Sequence, residues 1–206
     1  MMKRIALAVG MAALLAGGMA HAALVKKDLF APGDGLVTLD TATNLEWLDL
    51  TATQGLSVDA VLGGAGGWVN DGFKYADFGL VGQMLNDAGY LGDVSHYGLL
   101  NLVADHASAN AFMDDFGITS PPNVTFGLIA PYACTKFTTC TDYVQIIANG
   151  NGGRGFAIPD SGSIDTDHGR SYAGSFLVRS VPEPGSGALL MSGLALLGFT
   201  LRRRVR

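Results

Sequence analysis

Leu36-Val-Thr-Leu-Asp40 and Asn44-Leu-Glu-Trp-Leu-Asp49, joined by Thr41-Ala-Thr43, form the stretch whose reading decides the fold. Both runs are short, rich in β-branched or aromatic residues, and separated by polar residues that suit a turn, so they predict a β-hairpin. Downstream, Ser57 is placed to N-cap a short helix through Leu62. Gly63-Gly-Ala-Gly-Gly67 is a flexible break before Trp68. Phe78, Val81, Leu85 and Ala88 fall at helical spacing and predict a helix ending near Gly89. Leu99, Leu102, Val103, Phe112 and Phe116 suggest a second helix, stopped by Gly117 and Pro121-Pro122. Residues 124–130, 143–148, 155–158 and 174–179 read as later strands, separated by a glycine-rich loop (149–155) and an Asp-rich loop (160–167). Strands, then helices, then strands argue for one α+β domain rather than an alternating α/β sheet.

The two ends have a different character. At the C-terminus, Val181-Pro-Glu-Pro184 is followed by a stretch from 185 to 201 without a charged side chain, then Arg202-Arg-Arg-Val-Arg206. Pro182 and Pro184 remove two backbone donors and push Val181 and Glu183 toward extended conformations, so a cleft-shaped enzyme would meet a pre-extended strand carrying one carboxylate. The uncharged stretch makes about 25 Å of helix, slightly short of a hydrocarbon core of ~30 Å. The basic cluster favours a cytoplasmic C-terminus. At the N-terminus, Lys3-Arg4, an apolar run from Ile5 to Ala16 and Ala20-His-Ala22 read as a signal peptide. Signal peptidase would leave Ala23 as the first mature residue. The expected organisation is a signal peptide (1–22), an exported domain (23–180) and a sorting tail (181–206), the tail made of a motif (181–184), a membrane-spanning helix (185–201) and a basic stop (202–206).

The tail resembles those of the PEP-CTERM exported proteins of Gram-negative bacteria, on Val181, Pro182, Glu183 and Pro184, the small-residue-rich apolar span and the terminal arginines. The resemblance implies recognition by an exosortase, cleavage near the motif, a transient inner-membrane anchor, and delivery to the cell surface or an extracellular exopolysaccharide (biofilm) matrix.

Composition limits the rest. The whole chain has a net charge of −5. Residues 23–180 carry seven Lys/Arg against seventeen Asp/Glu, a net −10, because the other basic residues belong to the two ends. Long-range attraction to nucleic acid or anionic lipid is therefore excluded for the exported domain. Cys134 and Cys140 lie in one polar stretch, and in an oxidising exported setting the default is a disulfide closing a small loop.

A second resemblance concerns the domain. Asp40-Thr-Ala-Thr-Asn-Leu-Glu-Trp47-Leu48-Asp49 looks like the opening strand of the C-type-lectin-like domains at the end of bacterial collagen-like adhesins, with Asn44 in place of their glycine. Phe176-Leu-Val-Arg179 looks like their closing strand, and Tyr143-Val-Gln-Ile-Ile147 like the strand before it. The resemblance implies that the opening and closing strands pair and bring the sorting tail beside the hairpin.

Catalytic motifs are missing from the sequence: there is no Gly-x-Ser-x-Gly elbow, His-Glu-x-x-His, Walker loop or dinucleotide fingerprint. His96, His106 and His168 have no evident acid–base partner at useful spacing. The expectation is a protein without catalytic activity and without a required cofactor. Asp160, Asp165 and Asp167 offer hard oxygen ligands suited to Ca²⁺, with a plain solvated loop as the competing reading. Trp47, between Leu45 and Leu48, reads as core. Trp68, after the glycine break, is the candidate ligand-binding ring, since sugars stack on exposed indoles. Exopolysaccharide is the partner this alternative implies.

Overall fold

The Asp40 carboxylate builds the turn of the hairpin. It is fully buried and accepts the Ala42 N–H at 2.9 Å and the Thr43 hydroxyl at 2.7 Å. Asn44 then adopts φ 56°, a left-handed conformation that asparagine tolerates better than other non-glycine residues. The flanking strands β2 (Val37–Asp40) and β3 (Leu45–Leu48) pair antiparallel, from Val37 opposite Leu48 to Asp40 opposite Leu45. A strand not anticipated from the sequence, β1 (Leu24–Lys27), adds to the outside of β2. These features come from a computed structural model that describes residues 24–90, 102–104, 106–134, 139–147 and 155–181. The expected signal peptide, His96, Leu99, and the tail from Pro182 with its expected membrane span lie outside those residues. Among the described residues no helix is long and apolar enough to cross a membrane.

The predicted helices form where capping and periodicity agree. The helix α1 (Val58–Leu62) is capped by the Ser57 hydroxyl, which accepts the Ala60 N–H at 3.1 Å. The helix α2 (Phe78–Asp87) is capped by Asp77 and buries Phe78, Val81, Met84 and Leu85; Gly89, at φ 90°, follows its end. Between them, β4 (Lys74–Tyr75) is too short to announce itself in sequence.

Two expectations need correction. The single helix expected across 99–116 is instead a strand, β5 (Leu102–Ala104), followed by a helix, α3 (His106–Phe116). Leu102 and Val103 find backbone partners at residues 157 and 156 of another strand, and a β-branched residue suits that setting. Ala109, Phe112, Met113 and Phe116 form the buried stripe of that helix. The Asp-rich loop expected at 160–167 is largely strand: β8 runs from Gly155 to Asp165 and pairs with β7 (Cys140–Ile147) from Ile147 opposite Phe156 to Cys140 opposite Asp165.

The remaining strands are β6 (Val124–Leu128), β9 (Gly174–Ser175) and β10 (Leu177–Ser180). They complete two five-stranded sheets, ordered β1-β2-β3-β10-β4 and β5-β8-β7-β6-β9. The molecule is thus α+β, mostly sheet with few helices.

One residue passes the chain from sheet to sheet. Phe176 donates its N–H to Leu128 at 2.8 Å in the second sheet and accepts the Ala76 N–H at 2.9 Å beside the first. The strand expected across 174–179 is therefore two strands meeting at Phe176. Its ring is fully buried, edge-on to Trp47 at 6.3 Å and to Phe116 at 6.4 Å. Burying one such aromatic side chain contributes about 2–3 kcal/mol. The main core gathers around these rings with Met84, Tyr90, Phe112, Ile129, Val144 and Ile146. Trp47 is 1 % exposed, the core role expected of it.

The sorting junction and candidate ligand sites

The last strand ends in a defended corner. Arg179 lies directly opposite Glu46 across β3 and β10. Its Nε and Nη2 both reach Oε2 of Glu46, at 2.9 and 2.8 Å. Its Nη1 donates to the Asp71 carbonyl at 3.2 Å, and the guanidinium sits 4.6 Å over the Phe73 ring. Beyond Ser180 the last described hydrogen bond of the sheet runs from the Val181 N–H to the Asn44 carbonyl, at 3.2 Å. Pro182 has no N–H and cannot extend that ladder. The described sheet therefore ends at Val181, where the motif begins.

Beside this corner is a cleft of about 480 Å³ lined by Asp71, Gly72, Lys74, Arg179 and Ser180. It exists because β4 stops at Lys74, opposite Val178, while β10 continues to Ser180. Nothing in the local sequence of residues 71–74 signals this role; Glu46 and Arg179, likewise, are 133 residues apart. A charged residue between two apolar ones, as Glu46 between Leu45 and Trp47, is the available hint of a partner across the sheet.

The cysteines form the expected bridge, Cys134 to Cys140, with their Cα atoms 5.8 Å apart. Cys140 is fully buried at the start of β7, and its backbone pairs with Tyr132 in both directions, at 2.7 and 2.9 Å.

Of the aspartates expected to offer oxygen ligands, Asp165 and Asp167 are the two whose side chains are described. Asp160, in β8, pairs with Tyr143 of β7, and its side chain lies outside the described residues. Among the described residues, Asp165 and Asp167 gather with His168. The His168 Nδ1 contacts the Asp167 carboxylate and lies 3.6 Å from that of Asp165. Asp167 and His168 are exposed and Asp165 is half-buried, and an imidazole in the set fits poorly with Ca²⁺, which takes oxygen ligands. We assign it no ion.

Trp68 is not an open platform. It is 9 % exposed, edge-on to Phe73 and stacked under Phe30 at 6.0 Å with the planes 26° apart. Its burial follows from long-range neighbours that the preceding glycine break does not reveal. The exposed ring here is Phe30, 65 % accessible. A tight loop holds it in place: the Asp34 carboxylate accepts the backbone N–H groups of Leu29, Phe30, Ala31 and Leu36. Those bonds, led by the one from Ala31, hold the Asp34 carboxyl down at about 2.

Two other carboxyls are displaced upward. Asp87 is raised by burial first, then by the charge of and hydrogen bond with Asp40. Asp115 is raised by burial, which outweighs the attraction of Lys26. Asp40 already serves the hairpin turn, so its pairing with Asp87 is part of the fold's construction rather than a free acid–base pair.

Comparison with known proteins decides the tail. Residues 180–204 match the PEP-CTERM protein-sorting motif. The chain carries a PEP-CTERM sorting signal. The motif implies an extracellular protein, directed to the cell surface and processed by an exosortase. The match begins at Ser180, the last residue of β10, so this PEP-CTERM signal follows the folded sheet without a linker. No curated protein and no solved structure matches the chain. The lectin-like resemblance gains no support from these comparisons, although the strand pairing it implied is present between β3 and β10.

Proposed function

We propose that the protein is a non-catalytic component of the cell surface or exopolysaccharide matrix, exported by a signal peptide, held transiently in the inner membrane by the span 185–201, and released when an exosortase cuts near Pro182-Glu183-Pro184. The observation that carries this reading is the position of the PEP-CTERM motif, which starts where β10 ends. A folded domain closed by the Glu46–Arg179 pair leaves the motif as the first segment beyond the sheet for a processing enzyme to enclose. Fractionation of producing cells tests it. Replacing Pro182, Glu183 and Pro184 by alanine is expected to retain the unprocessed chain in the membrane fraction; unchanged processing and location would overturn the reading.

A carbohydrate-binding role is the alternative, and one observation favours it. Phe30 presents a flat ring to solvent, backed by Trp68 and fixed by the Asp34 loop. Aromatic faces of this kind accept the apolar face of a sugar, and the domain's acidic balance favours neutral over anionic polysaccharide. Affinity electrophoresis in gels containing a neutral glucan tests this: retardation that Phe30→Ala abolishes supports it, and identical mobility with and without glucan removes it.

A further inference from the structure

The cleft beside β10 has an unusual wall. Strand hydrogen bonds alternate sides, and the Val181 N–H points to Asn44, the residue just before β3. Arg179, two residues earlier, faces the same way, so Ser180 turns its N–H and C=O to the opposite side, where β4 has already ended. Gly72, which would be its partner if β4 continued, has φ 86° and makes no bond to it. Among the described residues the Ser180 backbone has no hydrogen-bond partner on that side. Lys74 stands exposed at the same opening with no anionic partner among those residues, and Asp71 is exposed across from it.

An unpaired backbone edge with a free cation is a docking place for an extended segment, since added strands take affinity from main-chain bonds and specificity from flanking side chains. The nearest functional element is the sorting motif, whose first proline lies two residues beyond Ser180. We propose that this cleft is a contact surface for the membrane enzyme that processes the tail: an extended segment of that enzyme pairs with Ser180 and places an acidic side chain on Lys74 and a basic or hydroxyl-bearing one on Asp71. The enzyme would then hold the folded domain as well as the motif, which sets the cleavage point relative to the end of β10. The inference rests on the sorting reading above.

Pulse-chase labelling of the full chain in the producing bacterium tests it. Lys74→Glu and Asp71→Lys are each expected to slow tail removal about five-fold, the usual scale for reversing a charge at the rim of an interface. Lys27→Glu, on the distant edge strand β1, serves as control and is expected to leave the rate unchanged. Retention of the Cys134–Cys140 bridge and an unchanged melting temperature of the purified full chain show that the variants are folded. Wild-type rates in both cleft variants would overturn the proposal while leaving the sorting reading intact. Wild-type rates in a Glu183→Ala chain would instead overturn the sorting reading.

Discussion

Arg179 clamps Glu46 across 133 residues of sequence, placing two guanidinium nitrogens on one carboxylate oxygen at 2.9 and 2.8 Å. The pair joins the first hairpin to the last strand, three residues before the sorting motif's first proline. Both side chains are mostly covered, at 24 % and 12 % exposure, so water screens the interaction less than at an open surface. Glu46→Ala is expected to lower unfolding free energy by about 1–2 kcal/mol. Arg179→Ala should cost more, because it also removes the bond to Asp71 and the contact with Phe73. Urea unfolding measures both, and hydrogen exchange at the Val181 amide should quicken in each variant.

Gly127 and Gly174 face each other in the parallel pairing of β6 with β9. A Cβ on Gly174 would fall 1.9 Å from the Leu50 carbonyl oxygen, and one on Gly127 would fall 2.1 Å from the Phe176 ring. Gly174→Ala meets backbone and Gly127→Ala meets a fully buried ring, so neither obstacle moves easily. Each substitution is expected to cost about 2–3 kcal/mol by overpacking, read from the midpoint of denaturant unfolding. Ala at Gly33, where the added carbon meets nothing, is the comparison: only the backbone strain of φ 86° remains there.

Much of this architecture was legible locally. The hairpin turn at Asp40–Asn44, the Ser57 cap and the stripe Phe78–Val81–Leu85 all rest on neighbours within four residues, which periodicity and capping chemistry capture. The errors arose where distant partners decide conformation. Residues 160–165 contain Ser, Gly and Asp and read as a loop, yet pairing with β7 extends them as strand. Leu102 and Val103 fit a helical spacing but pair with β8. The tail motif was readable because its order is local, whereas the Lys74 cleft arises from two strands of unequal length and has no signature in either.

Removal of the disulfide offers a third check. The bridge closes a loop with a sequence separation of six, and the chain-entropy relation assigns a loop this short about 2 kcal/mol. The double variant Cys134→Ser/Cys140→Ser should lose that amount, and adding reductant to the wild type should reproduce the loss. A melting temperature indifferent to reductant would show that the bridge contributes nothing.

The carboxyl shifts give stability an opposite pH dependence at two places. Asp34 is held down at about 2 by backbone donors. Its contribution is present above the unfolded aspartate pKa of about 4 and is lost as pH falls through about 2. Asp34→Asn should therefore reduce the stability difference between neutral and acidic solution. Asp87 is raised, chiefly by burial and then by Asp40. Its contribution is complete below the unfolded value and disappears as pH rises through the raised one, when a second charge must form beside Asp40. Asp87→Asn should flatten that alkaline-side loss. Thermal melts of both variants across pH 2 to 8 check the signs.

The most direct measurement is intact-mass spectrometry of the protein released from producing cells. The expected species begins at Ala23, ends near Pro182-Glu183-Pro184, and lacks the two thiol hydrogens of a reduced Cys134–Cys140 pair. A chain that keeps Arg206 and stays wholly in the membrane fraction would contradict the account.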